Sequence, residues 1–317
     1  MHEISPKKTF RMLEKRINPV AAVVVGFFPK FHILDALLLS LLKQADLVIF
    51  IDNGGGEQYL AAHPTKKSEI NYINLGNNRG LGFALNEGFK IAISRGFDFV
   101  ATFDQDSSPT PLMITGLLKA HYSLQRKGIS CAAIGPRFYD NREGKKHYYP
   151  LYKQIGYGIT TLPQLDKATR LFDVDVLITS GMLVNVAAWK AGVIYNPQLF
   201  VDYTDTDWCF RARDAGFKLF VSPDEEMGHA ISDTPPIRFF GLNFLRYSPV
   251  RRYYYFRNTV FFIRQLYVSW PWKLRLLIGL GIRFVSNLFI DTHRLKGLRM
   301  SLLGLAHGAI GKLGSLN

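Results

Sequence analysis

The amino-acid sequence predicts an α/β fold built around a mostly parallel sheet. Three observations lead to this prediction. Short β-branched runs, for example at 20–25 and 47–51, alternate with helical patterns; the helical patterns repeat apolar residues every three or four positions; and polar breakers follow the strands. A hydrophobic fraction of 48% with 20% charged residues is typical of a globular chain and excludes general disorder.

Strands and helices alternate in order from the first strand onward. Strand 20–25 leads into a helix with a leucine face (Leu34, Leu37, Leu38, Leu41 and Leu42). Strand 47–51 stops at the breaker 52–56, and strand 70–73 precedes a second helix that ends near Gly96. The later strands are predicted at 98–103, 131–135, 174–178 and 217–221, with a helix over 205–215. Residues 137–170 are polar and less regular.

The net charge of +14 is unevenly distributed along the chain. Residues 237–317 contain 13 Lys and Arg but only one acid, Asp291, so they carry +12 and residues 1–236 carry +2. We therefore predict a nearly neutral α/β domain over 1–236 and a basic, aromatic-rich helical region over 237–317.

Cysteine content and hydropathy limit the class of protein. Two cysteines, Cys131 and Cys209, make a disulfide framework unfavourable and exclude a four-cysteine zinc site, which indicates a reducing cytoplasm. No secretory signal is recognisable at the N-terminus. The longest stretch without Asp, Glu, Lys or Arg, 176–189, has 14 residues, fewer than the roughly 20 that cross a bilayer.

Three polar clusters are candidates for chemistry. Asp104 and Asp106 follow a predicted strand, and paired carboxylates suit Mg²⁺ or Mn²⁺, although Asp-x-Asp is also a common turn. A glycine-rich stretch at 74–84 precedes a helix, where it could approach an anion or simply connect two elements. Acids at 202–207 open the predicted helix, either as caps or as a general base. His229 alone is more typical of a structural histidine than of a metal ligand.

Together these clusters resemble glycosyltransferase family 2, and within it bacterial rhamnosyltransferases that use dTDP-L-rhamnose. The matching stretches are VVVGFFP, VIFIDNGG, NNRGLGFALNEG, FVATFDQDSSP, SGMLVN, LFVDYTDTDWCFRARDAGF, the His of MGHAIS, and RRYYYFRN. They extend over residues 20–258 in the order that this family shows. The resemblance implies the A-type glycosyltransferase fold, which is Rossmann-like, and an inverting, metal-dependent transfer to a saccharide on a polyprenyl diphosphate in O-antigen or capsule synthesis.

The resemblance also implies roles for individual residues. On the donor side it implies base or ribose contact by Asp52, nucleotide contact by Asn78, Gly80 and Asp104, a sugar-pocket floor from Ser180 and Gly181, and diphosphate contact by Arg252 or Arg257. For the metal it implies Asp104, Asp106 and His229, and for the acceptor it implies Asp205 as general base with Asp207 and Trp208 beside it. One motif departs from the family: Gly26-Phe27-Phe28-Pro29 stands where Thr-Tyr-Asn-Pro is usual. Base recognition then depends more on ring stacking, with Phe27 as the candidate.

The basic region contains an amphipathic helical pattern after Lys273. Its apolar side carries Leu, Ile, Val and Phe and its other side carries arginines, with Leu276, Leu280 and Ile290 as exceptions on the polar side. This pattern predicts peripheral association with an anionic membrane, at the cytoplasmic face of the inner membrane. The alternative is a helix packed on the domain. Nucleic-acid binding is disfavoured, because the apolar side is long and continuous. Two functions remain as alternatives to rhamnose transfer: a family 2 transferase that uses another nucleotide-sugar, and a non-catalytic basic adaptor.

Overall fold

A computed structural model describes residues 19–316, apart from 141–143, 145, 163–169, 229–236, 240–241, 245–246 and 291–292. The strands are β1 (Val20–Gly26), β2 (Leu47–Asp52), β3 (Asn71–Asn74), β4 (Phe99–Asp104), β5 (Ser108–Pro109), β6 (Cys131–Asp140), β7 (His147–Tyr148), β8 (Leu151–Ile155), β9 (Gly158–Leu162), β10 (Phe172–Val174), β11 (Met182–Asn185), β12 (Lys218–Gly228), β13 (Ile237–Phe239) and β14 (Leu242–Phe244). The α-helices are α1 (Phe31–Leu41), α2 (Gly56–Ala62), α3 (Lys66–Glu69), α4 (Leu81–Ser94), α5 (Met113–Gln125), α6 (Val186–Lys190), α7 (Thr204–Asp214), α8 (Pro249–Ile263), α9 (Trp270–Ile290) and α10 (Arg294–Ile310).

The main sheet has the strand order β10-β12-β6-β11-β4-β1-β2-β3, and in addition β5 pairs with β12 and β7 pairs with β6. Strands β4, β1, β2 and β3 are parallel, and their register places Val25 opposite Asp104, Gly26 opposite Asp52, and Asp52 opposite Asn74. The carboxyl ends of these four strands therefore meet at one edge, where ligands bind in open α/β sheets.

The sheet is covered on both faces, as the alternation of β1 shows. Val23 packs in one core with Phe89 of α4, whereas Val24 packs in the other with Leu38 of α1 and Leu117 of α5. Because successive side chains of a strand point to opposite faces, a strand between two layers reads as a continuous apolar run. This explains why 20–25 is apolar at every position, and the predicted α/β fold is confirmed.

The second half of the sheet differs from the prediction. Strand β11 lies antiparallel between β4 and β6, although no strand was expected at 182–185. The strand expected at 174–178 is wrong beyond its first residue, because β10 ends at Val174. Asp175 follows, and its buried carboxylate accepts hydrogen bonds from Gln154 N (2.7 Å) and Trp272 Nε1 (2.8 Å). That carboxylate thus joins the sheet to the hairpin β8–β9 and to α9.

The three C-terminal helices pack against one another and against the sheet domain. Helix α10 crosses α8 closely at two glycines: a Cβ at Gly304 would lie 2.5 Å from Tyr253 O, and one at Gly308 2.5 Å from Arg257 O. Helix α9 is anchored by Trp272, which packs with Phe210 and Phe262. No helix in the described part of the chain is long and apolar enough to cross a bilayer. The division at 236/237 stays a prediction.

Helix α9 presents its apolar side to solvent. Seven residues form what we call the apolar stripe of α9, and all are exposed: Leu274, Leu277, Ile278, Ile282, Val285, Leu288 and Phe289. Leu280, one of the exceptions in the sequence pattern, is instead buried, and Leu276 is partly buried beside Trp272. The predicted amphipathic helix is confirmed. The side of α9 that faces the rest of the protein is its polar side, which includes Leu276 and Leu280.

Candidate active site

A pair of aromatic side chains lies at the end of β1. Phe27 and Phe28 are both exposed, and their rings meet edge-on with centroids 4.8 Å apart. They lie over a glycine loop: a Cβ at Gly54 would be 3.1 Å from the Phe27 ring, and one at Gly55 2.7 Å from the Phe28 ring. Both glycines have positive φ, so the loop requires them for space and for backbone conformation. The exposed rings can stack on a planar base.

The amide of Gln105 connects this aromatic pair to the carboxylate turn after β4. Phe27 N donates to Gln105 Oε1 (2.6 Å), and Gln105 Nε2 donates to Phe27 O (3.1 Å). Gln105 lies between Asp104 and Asp106, so one side chain spans the strand ends of β1 and β4. This role had no signal in the sequence beyond the position of Gln105 between two acids.

Asp52 is placed differently from the role that the resemblance implied. It is 1% exposed, its Oδ1 accepts from Gly54 N and Gly56 N (both 2.8 Å), and its Oδ2 accepts from Tyr72 Oη (2.7 Å). The carboxylate therefore holds the glycine loop and the first turn of α2. In this geometry it shapes the floor under the aromatic pair and is not exposed to a base or ribose.

Asn78 and Gly80 also serve the loop itself. Asn78 Oδ1 accepts from Asn53 Nδ2 (3.0 Å) and Gly80 N (2.9 Å), which ties the loop after β3 to the end of β2. Gly80 has φ +84°, and a Cβ there would lie 2.8 Å from the backbone of Phe200. The glycine is needed for close contact with the segment 199–203 that leads into α7.

The carboxylate turn after β4 is braced by Ser180. Its buried Oγ hydrogen-bonds Ser107 Oγ and accepts from Asp104 N (3.3 Å). Gly181 has φ +72°, and a Cβ there would lie 2.9 Å from Met227 Sδ. Both residues lie beside the carboxylate turn, and their role as the floor of a sugar pocket stays a prediction.

The donor set fits a hard divalent cation only in part. Asp104 is half-buried and Asp106 is exposed, and two carboxylates completed by phosphate oxygens suit Mg²⁺ or Mn²⁺. In the described part of the chain no three His, Cys, Asp or Glu side chains cluster closely enough to hold a metal. His229 lies outside the described residues. Gly228, just before it, pairs with Ser108, so β12 runs beside the turn.

Asp205 is the candidate general base. It lies in the first turn of α7, where its Oδ1 accepts from Thr206 N (2.7 Å). Burial raises the pKa of its carboxyl to about 6, and the negative charges of Asp104 and Asp202 add to the increase. The charge of Asp104 acts on Asp205, so the two carboxylates lie near each other. A carboxyl with a pKa of about 6 is ionised at neutral pH and can accept a proton.

Asp207 and Trp208 lie inside the protein and do not line an open acceptor site. Asp207 is buried and accepts hydrogen bonds from Arg211 Nε (2.8 Å) and Tyr267 Oη. Trp208 Nε1 donates to Val193 O (2.9 Å), and its ring stacks on Tyr195. Their predicted acceptor roles are not supported by this placement, because their polar atoms already have protein partners.

Arg257 does not face a leaving diphosphate in this structure. Its buried guanidinium donates to Leu199 O (2.8 Å), Gly314 O (2.5 Å) and Gln198 O (3.3 Å). Asn258 Nδ2 donates to Leu199 O (2.9 Å), Val201 O (2.7 Å) and Asp202 O (2.9 Å). Arg252 is likewise buried.

The segment 199–203 is the element that Arg257 and Asn258 hold in place. Three of its residues, Phe200, Asp202 and Tyr203, have positive φ values of 67°, 58° and 64°. Non-glycine residues adopt this conformation at a cost, so the surrounding contacts must maintain it. Sequence reasoning missed this function, although Arg257 and Asn258 stand in one of the matching stretches.

Comparisons with known proteins agree with this architecture. Residues 22–178 match the family described as glycosyl transferase family 2. Over 295 residues the chain is 28% identical to the dTDP-rhamnosyl transferase RfbF of Shigella flexneri. This match covers 93% of this chain and 97% of RfbF.

Solved structures of S. aureus TarS, residues 1–349, are similar in fold. For one of these structures the TM-score is 0.55 and the sequence identity is 14%, and the match covers 92% of this chain and 80% of the TarS chain. The complex with UDP-GlcNAc gives a TM-score of 0.56 with 14% identity, covering 92% and 81%. The predicted A-type glycosyltransferase fold, with helices at its C-terminal end, is confirmed. These matches identify the chain as a glycosyltransferase of family 2 that is similar to a bacterial rhamnosyltransferase.

Proposed function

We propose that the protein transfers L-rhamnose from dTDP-L-rhamnose to a hydroxyl of a lipid-linked saccharide during synthesis of a bacterial surface polysaccharide, either O-antigen or capsule. The observation that carries this proposal is the placement of Asp205: burial raises the pKa of its carboxyl to about 6, and the charge of Asp104, at the carboxyl edge of the sheet, adds to the increase. The similarity to the dTDP-rhamnosyl transferase of Shigella flexneri extends over nearly all of both chains and supports the choice of donor.

Each end of the site has a separate task in this reaction. The exposed Phe27 stacks on the thymine, and Asp104 and Asp106 would hold a divalent cation, with His229 as a further proposed ligand. Once bound, a divalent cation supplies charge stabilisation for the departing diphosphate. Asp205 accepts the proton of the acceptor hydroxyl while the hydroxyl oxygen attacks the anomeric carbon. The bond from that carbon to the diphosphate breaks, and a single displacement inverts the anomeric centre.

We also propose that the protein docks on the cytoplasmic face of the inner membrane through the apolar stripe of α9. An exposed stripe of large apolar side chains on a helix from a region of net charge +12 is what an interfacial helix requires. Since the lipid of the acceptor is confined to the bilayer, docking brings Asp205 to its substrate.

A panel of nucleotide-sugars with a synthetic lipid-linked acceptor and Mg²⁺ or Mn²⁺ tests the proposal. We expect transfer from dTDP-L-rhamnose, loss of transfer with a chelator, and no transfer by Asp205→Asn. Turnover with a different nucleotide-sugar would overturn the choice of donor. If the protein shows neither hydrolysis nor transfer with any donor tested, that result would favour a non-catalytic adaptor.

A further inference from the structure

Two arginines from different helices converge beside the segment 199–203. Arg251 of α8 and Arg283 of α9 both lie over the ring of Tyr247, each with its guanidinium carbon 4.7 Å from the ring centroid. Arg283 also lies over the ring of Tyr255, at 4.6 Å. Two aromatic rings thus hold the Arg283 guanidinium in place, and an ordered guanidinium loses little entropy when it binds an anion.

The positive charge of this group exceeds its negative charge. Arg251 pairs with Asp202 Oδ1 (3.2 Å). Arg283 is half-buried, and in the described part of the chain it forms no salt bridge and its N–H groups make no hydrogen bond. Burial raises the pKa of the Asp202 carboxyl, and the charges of Arg251 and Arg283 both oppose this increase, so two cations act on one acid. A guanidinium has five N–H donors, and groups of this kind are rarely left without acceptors when they are shielded from water.

These arginines lie close to the candidate base. The charges of Asp104 and Asp202 both contribute to the raised pKa of Asp205. Asp202 is the carboxylate that Arg251 contacts, so Arg251, and Arg283 beside it on the ring of Tyr247, lie near Asp205. On the opposite side of α9 from Arg283 lies the apolar stripe.

We infer that Arg251 and Arg283 bind the phosphate or diphosphate that joins the saccharide of the acceptor to its lipid. This inference rests on the proposed function for the acceptor class. The order of these protein groups matches the order of parts in such an acceptor. The sugar hydroxyl would lie at Asp205, the anionic link at the two arginines, and the apolar chain beside α9. Arginine forms paired hydrogen bonds with phosphate oxygens, and aromatic side chains that hold it flat favour this geometry.

The test measures binding without any donor. Farnesyl diphosphate in a non-ionic detergent is titrated into the wild-type protein, Arg283→Gln and Arg283→Lys, and farnesol provides the same chain without its anion. We expect Arg283→Gln to weaken farnesyl diphosphate binding about 10-fold or more, as expected for loss of a charged hydrogen-bonding partner. Arg283→Lys should retain part of the affinity, and farnesol should bind all three proteins equally.

Arg275→Gln is the matched control. Arg275 lies on the same helix with its guanidinium 4.5 Å from the ring of Tyr152, so this variant removes the same charge and the same type of contact. It should bind farnesyl diphosphate as the wild type does. Equal losses in the two variants would overturn the inference, because they would reflect net charge alone.

Two further arms identify the source of the anion. Arg283→Gln should leave the affinity for dTDP unchanged, and a matching loss there would assign the arginines to the donor instead. Binding to phosphatidylglycerol vesicles should also be unchanged, and a loss there would assign them to lipid headgroups. If the proposed donor is wrong, the nucleotide-sugar panel fails while these binding results stand. If the inference is wrong, the panel succeeds and Arg283→Gln binds farnesyl diphosphate normally.

Discussion

Replacing two residues of the apolar stripe of α9 should release the protein from membranes without unfolding it. Ile278 and Val285 are each 55% exposed, and glutamine at both positions removes apolar surface without changing the net charge. Full burial of such a side chain contributes about 1.5–3 kcal/mol, so covering the exposed half contributes about 1 kcal/mol for each residue. The double variant Ile278→Gln/Val285→Gln should therefore lose about 2 kcal/mol, or about 30-fold in partitioning to vesicles.

Flotation with phosphatidylcholine vesicles containing phosphatidylglycerol measures the partitioning, and a thermal melt measures stability. The double variant should melt near the wild-type temperature, because substitutions at exposed positions usually change stability by less than about 0.5 kcal/mol. Leu280→Ala is the opposite control: Leu280 is 7% exposed, so its truncation should cost about 2–5 kcal/mol and leave partitioning unchanged. Undiminished vesicle binding by the double variant would refute the assignment of this stripe as the docking surface.

Three further changes examine the catalytic site. With a pKa of about 6, Asp205 is ionised in about one molecule in ten at pH 5, so kcat should fall about 10-fold from pH 8 to pH 5, and a flat profile would remove Asp205 from the base role. Asp106→Ala should weaken metal-dependent binding of dTDP-L-rhamnose in calorimetry, and unchanged affinity would contradict a metal role for this exposed carboxylate. Asn258→Ala leaves the carbonyls of Leu199, Val201 and Asp202 without this donor, so the melting temperature and kcat should both fall, whereas dTDP affinity should change little.

The parallel half of the sheet could be predicted from sequence because its signals are local. Strands β1, β2 and β4 are apolar runs that end at Gly26, Asp52 and Asp104, and each ending is visible without knowing the neighbours. The position of β11 could not be predicted, because four residues between two longer strands contain no periodicity that identifies their partners. Likewise, β10 ends where Asp175 makes contacts with residues far away in the chain.

Motifs located the site better than they assigned its members. Asp104 ends β4 and its charge acts on Asp205 in the first turn of α7, and both positions are set by local sequence. Asp207 and Arg257 stand in matching stretches but are buried among protein partners. A motif does not distinguish a residue that contacts a ligand from one that holds the loop beside it, because both require the same side chain.

The hydrogen bonds from α8 to the segment 199–203 have a consequence for the design of shortened proteins. A fragment ending at residue 236 would contain every acid of the catalytic site, yet it would lack Arg257 and Asn258. The backbone of Phe200, Asp202 and Tyr203 would then be free to relax from its left-handed conformation and carry the helix of Asp205 with it. A more soluble enzyme is therefore better obtained by polar substitutions in the apolar stripe of α9 than by truncation.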